Sequence, residues 1–150
     1  MRKITKNNSC GNMAGYKRLF AAPVSEIESI DFIDVKTKIV SLKRDFAFGE
    51  IQADSIEVDS PFKDGCYEHG ISCRFTAMKN SHDSLFDKMT RQRFIVKVVD
   101  NNNMVWLAGT LSEPLLFSWG HIGKAFANGE HLYELTFRRA STEPLYTTTL

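Results

Sequence analysis

Apolar and polar positions alternate along most of this chain in short runs with a period near two, the spacing of strands that bury one face. Lys17-Arg-Leu-Phe-Ala-Ala-Pro23 reads as a strand that Pro23 ends or confines to a sheet edge, because proline has no amide hydrogen to give a neighbour. Ile27, Ile30, Phe32 and Ile33 form a second apolar run. From Lys36 to Leu42 the spacing is again strand-like, with Lys36, Lys38, Val40 and Leu42 on one parity and Thr37, Ile39 and Ser41 on the other. The apolar residues there do not fall on one face. Ile51, Ala53 and Ser55 share a parity that gives way to Ile56, Val58 and Ser60, and such a shift predicts a bulge or bend at Ser55-Ile56. Asp64-Gly65 is a turn signal. Cys66 to Met78 is then two strands or one long strand kinked at Gly70, with Ile71, Cys73, Phe75 and Ala77 facing away from Ser72, Arg74 and Thr76.

One segment departs from period two. Across residues 81–92, Leu85, Phe86 and Met89 fall at helical spacing. Ser81 stands at the capping position, Asp83 and Asp87 lie toward the start, and Lys88 and Arg91 lie toward the end, as the helix dipole favours. Strand spacing then resumes. Phe94 to Val99 and Met104 to Ala108 flank Asn101-Asn102-Asn103 and predict a hairpin, since Asn tolerates left-handed turn conformations. Leu115 to Trp119 predicts another strand, Gly120 to Gly129 a loop, and His131 to Arg139 a strand with Tyr133, Leu135 and Phe137 on one side. Glu143-Pro144 leads into a polar tail from Tyr146 to Leu150. The pattern predicts a flexible N-terminal arm, 1–15, and one β-rich domain, 16–150. Its fold class is mainly β, a sandwich or barrel of antiparallel strands with one mid-chain helix over about 81–92.

A chain of 150 residues is the common size of one domain, and its 43% hydrophobic content with eleven Phe supplies a core. The net charge of +1 gives no general attraction to nucleic acid or anionic lipid, but the charge is segregated. Arg2, Lys3, Lys6, Lys17 and Arg18 stand in residues 2–18 without an acid, whereas 26–68 carry eleven acids against five bases. Ordinary solvated surface explains this, and so does self-complementarity, with the basic arm of one subunit meeting the acidic face of the next. The second explanation makes Arg2, Lys3, Lys6, Lys17, Arg18, Asp54, Glu57 and Asp59 candidate inter-subunit residues. No run has the length of a signal peptide core or a membrane span, so the expectation is no membrane partner.

Candidate chemistry is sparse. Cys10, Cys66 and Cys73 form neither an even disulfide set nor a zinc pattern, and are expected as free, mostly buried thiols. His69, His82, His121 and His131 show no ligand spacing, and each is expected as a surface or hydrogen-bonded histidine. Neither a nucleophile elbow nor a phosphate-binding glycine loop is present, and the expectation is no catalytic residue, no cofactor and no metal. A small single-stranded nucleic-acid-binding β-barrel is the alternative, with Phe75 and Phe137 as stacking rings. Their neighbours Arg74 and Arg138 would point to the opposite side of the sheet.

The second half carries a further pattern: Arg93-Phe-Ile-Val-Lys-Val-Val-Asp-Asn-Asn-Asn-Met-Val-Trp-Leu-Ala-Gly109, Glu113-Pro-Leu-Leu-Phe117, Tyr133-Glu-Leu-Thr-Phe-Arg-Arg139 and Glu143-Pro-Leu145. Together with Cys10-Gly-Asn and Lys17-Arg-Leu-Phe20, it resembles virion structural proteins of phages infecting Bacteroidetes. The order of strands, one helix and further strands is similar to the tail-tube and type VI secretion tube family. The resemblance implies a virion subunit, a tail-tube or head–tail junction protein made in the host bacterial cytoplasm. Its partners would be further copies in rings, other tail or connector proteins, and DNA as passing cargo. In that family's terms residues 1–15 would be a stacking arm and 43–65 an inter-ring loop.

Overall fold

The computed structural model describes residues 15–45, 47–76, 81–122 and 132–149. Residues 1–14, with Arg2, Lys3, Lys6 and Cys10, lie outside them, as do Ala77, Met78 and 123–131, which hold most of the predicted loop from Gly120 to Gly129; Gly120 to Ile122 continue the preceding strand instead. Twelve strands and one helix follow in chain order. They are β1 (Tyr16–Pro23), a 3-10 turn (Val24–Glu26), β2 (Ile27–Phe32), β3 (Thr37–Leu42), β4 (Gly49–Ile51), β5 (Ser55–Asp59), β6 (Phe62–Lys63) and β7 (Cys66–Thr76). After these come α1 (Ser81–Met89), β8 (Arg93–Asp100), β9 (Val105–Ala108), β10 (Leu115–Ile122), β11 (Leu132–Ser141) and β12 (Tyr146–Thr148).

The strands form one mixed sheet with the path β2-β3-β12-β9-β8-β10-β11-β7-β5, β1 and β4 joining beside β8 and β6 beside β7. The sheet turns back on itself without closing into a barrel. All described pairings are antiparallel except β12 with β3. The turning point is β8, which pairs with β1 along its length, with β9 through Val96–Val99 and with β10 through Phe94 and Arg93.

Registers explain how the core assembles. Leu19 lies opposite Val98 and Ala21 opposite Val96, which itself faces Ala108 across β9. In the other arm of the sheet, Phe117, Phe137, Ile71 and Val58 line up across β10, β11, β7 and β5. The two sets pack together as the main core, with Phe137 fully buried between Phe94 (ring centroids 5.6 Å apart) and Phe117 (5.1 Å). The alternate residues of β8 serve a second core: Ile95 packs with Ala22, Ile27 and Leu107 beneath β2, β3 and Phe48. Buried on both faces, β8 reads in the sequence as a nearly continuous apolar run rather than an alternation.

Several expectations are corrected. The helix stops at Met89 rather than Arg91 or Gln92. The Thr90 hydroxyl donates to the Asp87 carbonyl at 2.6 Å, and the Arg91 and Gln92 amides reach back only three residues, to Lys88 and Met89. Of the expected apolar helix face, Phe86 and Met89 pack on the core, whereas Leu85 is exposed. The parity shift near Ser55 is not a bulge in one strand. It is the crossing from β4, paired to β1, to β5, paired to β7. Cys66 to Thr76 is one strand without a break at Gly70. The polar tail is a strand inside the sheet, β12, held between β3 and β9.

The turns follow the expected chemistry. Asp64 (φ 52°) and Gly65 (φ 82°) form the left-handed pair that joins β6 to β7. In the β8–β9 hairpin, Asn103 takes φ 64°, and the Asp100 carboxylate accepts from the Asn102 and Met104 amides at 2.9 Å each.

Candidate assembly surface

The path of the sheet ends at β2, which among the described residues has a partner, β3, on one side only. Its amide and carbonyl row on the other side is a template for another strand. The β2–β3 hairpin ends in six consecutive exposed residues, Asp31 to Lys36. Within it Val35 is 88% exposed, Ile33 58% and Phe32 52%, and Ile39 on β3 stands out at 42%. The tip is nevertheless ordered by its own sequence. Asp34 accepts from the Lys36 and Thr37 amides at 2.8 Å each, and those bonds hold its carboxyl below the usual carboxylate range. A well-built turn that presents apolar side chains to water is a candidate contact surface.

Beneath the tip lies an ammonium cage. Lys38 is only 5% exposed, its Nζ 2.6 Å from Glu143 Oε2 and 4.8 and 4.7 Å from the Phe32 and Tyr146 ring centroids. The T-shaped contact of Phe32 with Tyr146, 5.0 Å between centroids, completes it. This explains why the parity of β3 looked mixed: Lys38 points in and Ile39 points out.

Next to the cage, His69 lies buried with Nδ1 2.7 Å from Ser60 Oγ and Nε2 2.8 Å from the Glu143 carbonyl. A carbonyl can only accept, so Nε2 carries the proton and Nδ1 takes the Ser60 hydroxyl hydrogen. The pair ties the end of β5 and the middle of β7 to the 142–145 turn. Burial lowers the His69 pKa from its ordinary 6.5. The unfolded chain therefore binds the extra proton first, so stability present above about pH 6.5 falls as pH drops toward the folded-state value. A thermal melt is expected to show that acid-side loss in the wild type, and a shallower one in His69→Gln.

The sequence missed this Ser60–His69 contact, because nine residues and a chain reversal separate the two. The base faces a backbone carbonyl rather than a carboxylate on its far side, which orients the ring but supplies no counter-charge.

The sequence-predicted inter-subunit residues divide. Lys17 and Arg18 lie on β1, and both are used within the chain. Lys17 donates to the Asn103 side chain, and Arg18 grips Glu50 on β4 with bonds of 2.9 and 3.1 Å. Glu57 and Asp59 are exposed on β5, the other end of the sheet path, and Asp54 is exposed just before it, while Ile56 and Val58 turn to the core. Two separate ends of the sheet, β2 and β5, thus carry acids, with Glu28 and Asp31 on the first. The stretch 43–65 is not one loop but holds β4, β5 and β6.

Phe137, one of the two rings of the nucleic-acid alternative, is fully buried and offers no face to a base. Cys73 is buried, with its thiol pushed up to about 12, and Cys66 is half-buried; both are free. Among the described residues no group of three or more metal-ligating side chains converges. Among the described residues no helix is long and apolar enough to cross a membrane.

Fold and surface together define a mainly β protein with a sheet edge that is unpaired among the described residues and an ordered apolar hairpin tip. No family model matches the chain, and no curated protein or solved structure matches it.

Proposed function

We propose that the chain is a non-catalytic structural subunit of a bacteriophage virion, a tail-tube or head–tail junction protein. It works by joining copies of itself into a ring or stacked rings around a channel that DNA crosses. The observation that carries this is the β2–β3 hairpin, a sheet edge free among the described residues and ending in exposed Phe32, Ile33 and Val35. Ring closure joins such edges across subunits and takes their apolar residues out of water. The segregated charge adds to it. The basic segment bearing Arg2, Lys3 and Lys6 is complementary to the acids of β2 and β5 on a neighbouring copy. The resemblance of the second half to phage virion proteins supplies the virion setting.

Mass spectrometry of purified phage particles, induced from a bacterium that encodes the chain, tests the proposal. The expected result is the chain at several copies per particle, resistant to salt washing. Its absence from intact particles would overturn the virion assignment.

A further inference from the structure

The sheet carries a second feature that matches the hairpin tip. On its outer face a groove of about 660 Å³ is lined by Asp59, Pro61, Glu68, Gly70, Leu116 and Arg138, among others. The registers show how it forms. Leu116, Arg138, Gly70 and Asp59 are direct neighbours in one row across β10, β11, β7 and β5. Gly70 leaves the third place of that row empty, so the Arg138 side chain leans over it; a methyl group there would lie 3.9 Å from Arg138 Nε. Arg138 is exposed and has no ion-pair partner among the described residues. Leu116 beside it is 41% exposed. One wall of the groove is thus a free guanidinium next to an apolar side chain, and the other carries the carboxylates of Asp59 and Glu68.

The hairpin tip has the inverse set. Asp31 is exposed, Ile33 and Val35 are exposed and apolar, and Lys36 is exposed beyond them. Neither Asp31 nor Lys36 has an ion-pair partner among the described residues. We infer that the occupant of the groove is the β2–β3 hairpin tip of a second copy of this chain. Asp31 meets Arg138, Ile33 and Val35 cover Leu116 and Pro61, and Lys36 faces Asp59 and Glu68. Both signs of charge are matched, and the exposed side chains of Ile33, Val35 and Leu116 are removed from water. The groove volume is in the range that accepts a few side chains. Tip and groove are different surfaces, so the contact is head-to-tail: each copy uses one of each, which generates a ring if the rotation closes and a filament if it does not.

This inference rests on the self-assembly reading above and names the surfaces that perform it. The test uses the full chain in three variants. Val35→Asp spoils the tip and leaves the groove; Arg138→Glu spoils the groove and leaves the tip; Gly70→Val fills the groove without changing charge. Circular dichroism and melting confirm that each is folded. Sedimentation velocity is expected to show the concentration for assembly raised at least tenfold in each variant alone. A one-to-one mixture of Val35→Asp and Arg138→Glu is expected to yield a dimer and nothing larger, since the mixture offers one sound tip to one sound groove. If the wild type assembles and the folded Arg138→Glu and Gly70→Val proteins assemble equally well, the tip-in-groove contact is wrong while self-assembly stands. A folded mixture that gives no dimer overturns the contact too. If the wild type stays monomeric at every concentration, both fall together.

Discussion

Deletion of residues 146–150 is expected to unfold the protein, although those residues read as a polar tail. The segment 146–148 is β12, which joins β3 to β9 and so connects the whole β2–β3 hairpin to the rest of the sheet. Its removal takes away the Thr147 amide and hydroxyl bonds to the Lys36 carbonyl (3.1 and 3.0 Å) and the Thr148 hydroxyl bond to the Lys38 carbonyl (2.8 Å). It also takes away the Tyr146 ring over Lys38 and the Thr149 carbonyl that accepts from Lys97 at 2.9 Å. Lys97 is 8% exposed, and burial already lowers its pKa; without that carbonyl its ammonium keeps, among the described residues, only the Phe48 ring, 4.4 Å away. Each buried group left unsatisfied costs about 1–3 kcal/mol, and several together approach the roughly 5–15 kcal/mol that holds a domain folded. Urea denaturation of the deletion variant is expected to show no cooperative transition. Thr147→Pro, which removes one amide from the middle of a paired strand, is expected to lower the midpoint strongly without abolishing it. A deletion variant that melts like the full chain would contradict the placement of β12.

Phe137→Ala is expected to cost about 3–5 kcal/mol, the range for removing a fully buried aromatic ring. Phe137 is 0% exposed and contacts two further rings at 5.1 and 5.6 Å, so little of the cavity can collapse. Phe62→Ala is the control. At 63% exposed, against Tyr67 alone among the described rings, it is expected to cost less than about 1 kcal/mol. Equal costs for the two would mean that the parity of β11 is reversed.

What the sequence made legible follows from how each strand is buried. Where one face meets the core and the other meets water, as in β7 and β11, alternation identified the strand and its inward residues, among them Ile71, Cys73, Leu135 and Phe137. The asparagine turn and Asp64-Gly65 were legible because left-handed backbone restricts residue choice. The strand β12 was not, because its inward contacts are made by Thr hydroxyls and a Tyr ring, which carry no hydrophobic signal. Nor was Lys38, a charged residue taken inside by Glu143 and two rings that lie far from it in sequence or across a hairpin. The groove depends on a four-strand register and on the missing side chain of Gly70, and registers between distant strands are not written in local pattern. Charge segregation pointed to Lys17 and Arg18 as contact residues, whereas the fold gives each a partner within the chain. The sequence showed Asp54, Glu57 and Asp59 as an acidic cluster, and the fold places Glu57 and Asp59 on β5, the last strand of the sheet path, with Asp54 just before it.

The central claim is that copies of this chain join through the β2–β3 hairpin. Sedimentation of the purified full chain over a hundredfold concentration range tests it most directly. The account requires mass to rise with concentration toward rings or tubes, and Val35→Asp to need at least tenfold more protein to reach the same mass. A wild type that remains one folded chain throughout would contradict it, as would a folded Val35→Asp variant that associates just as readily.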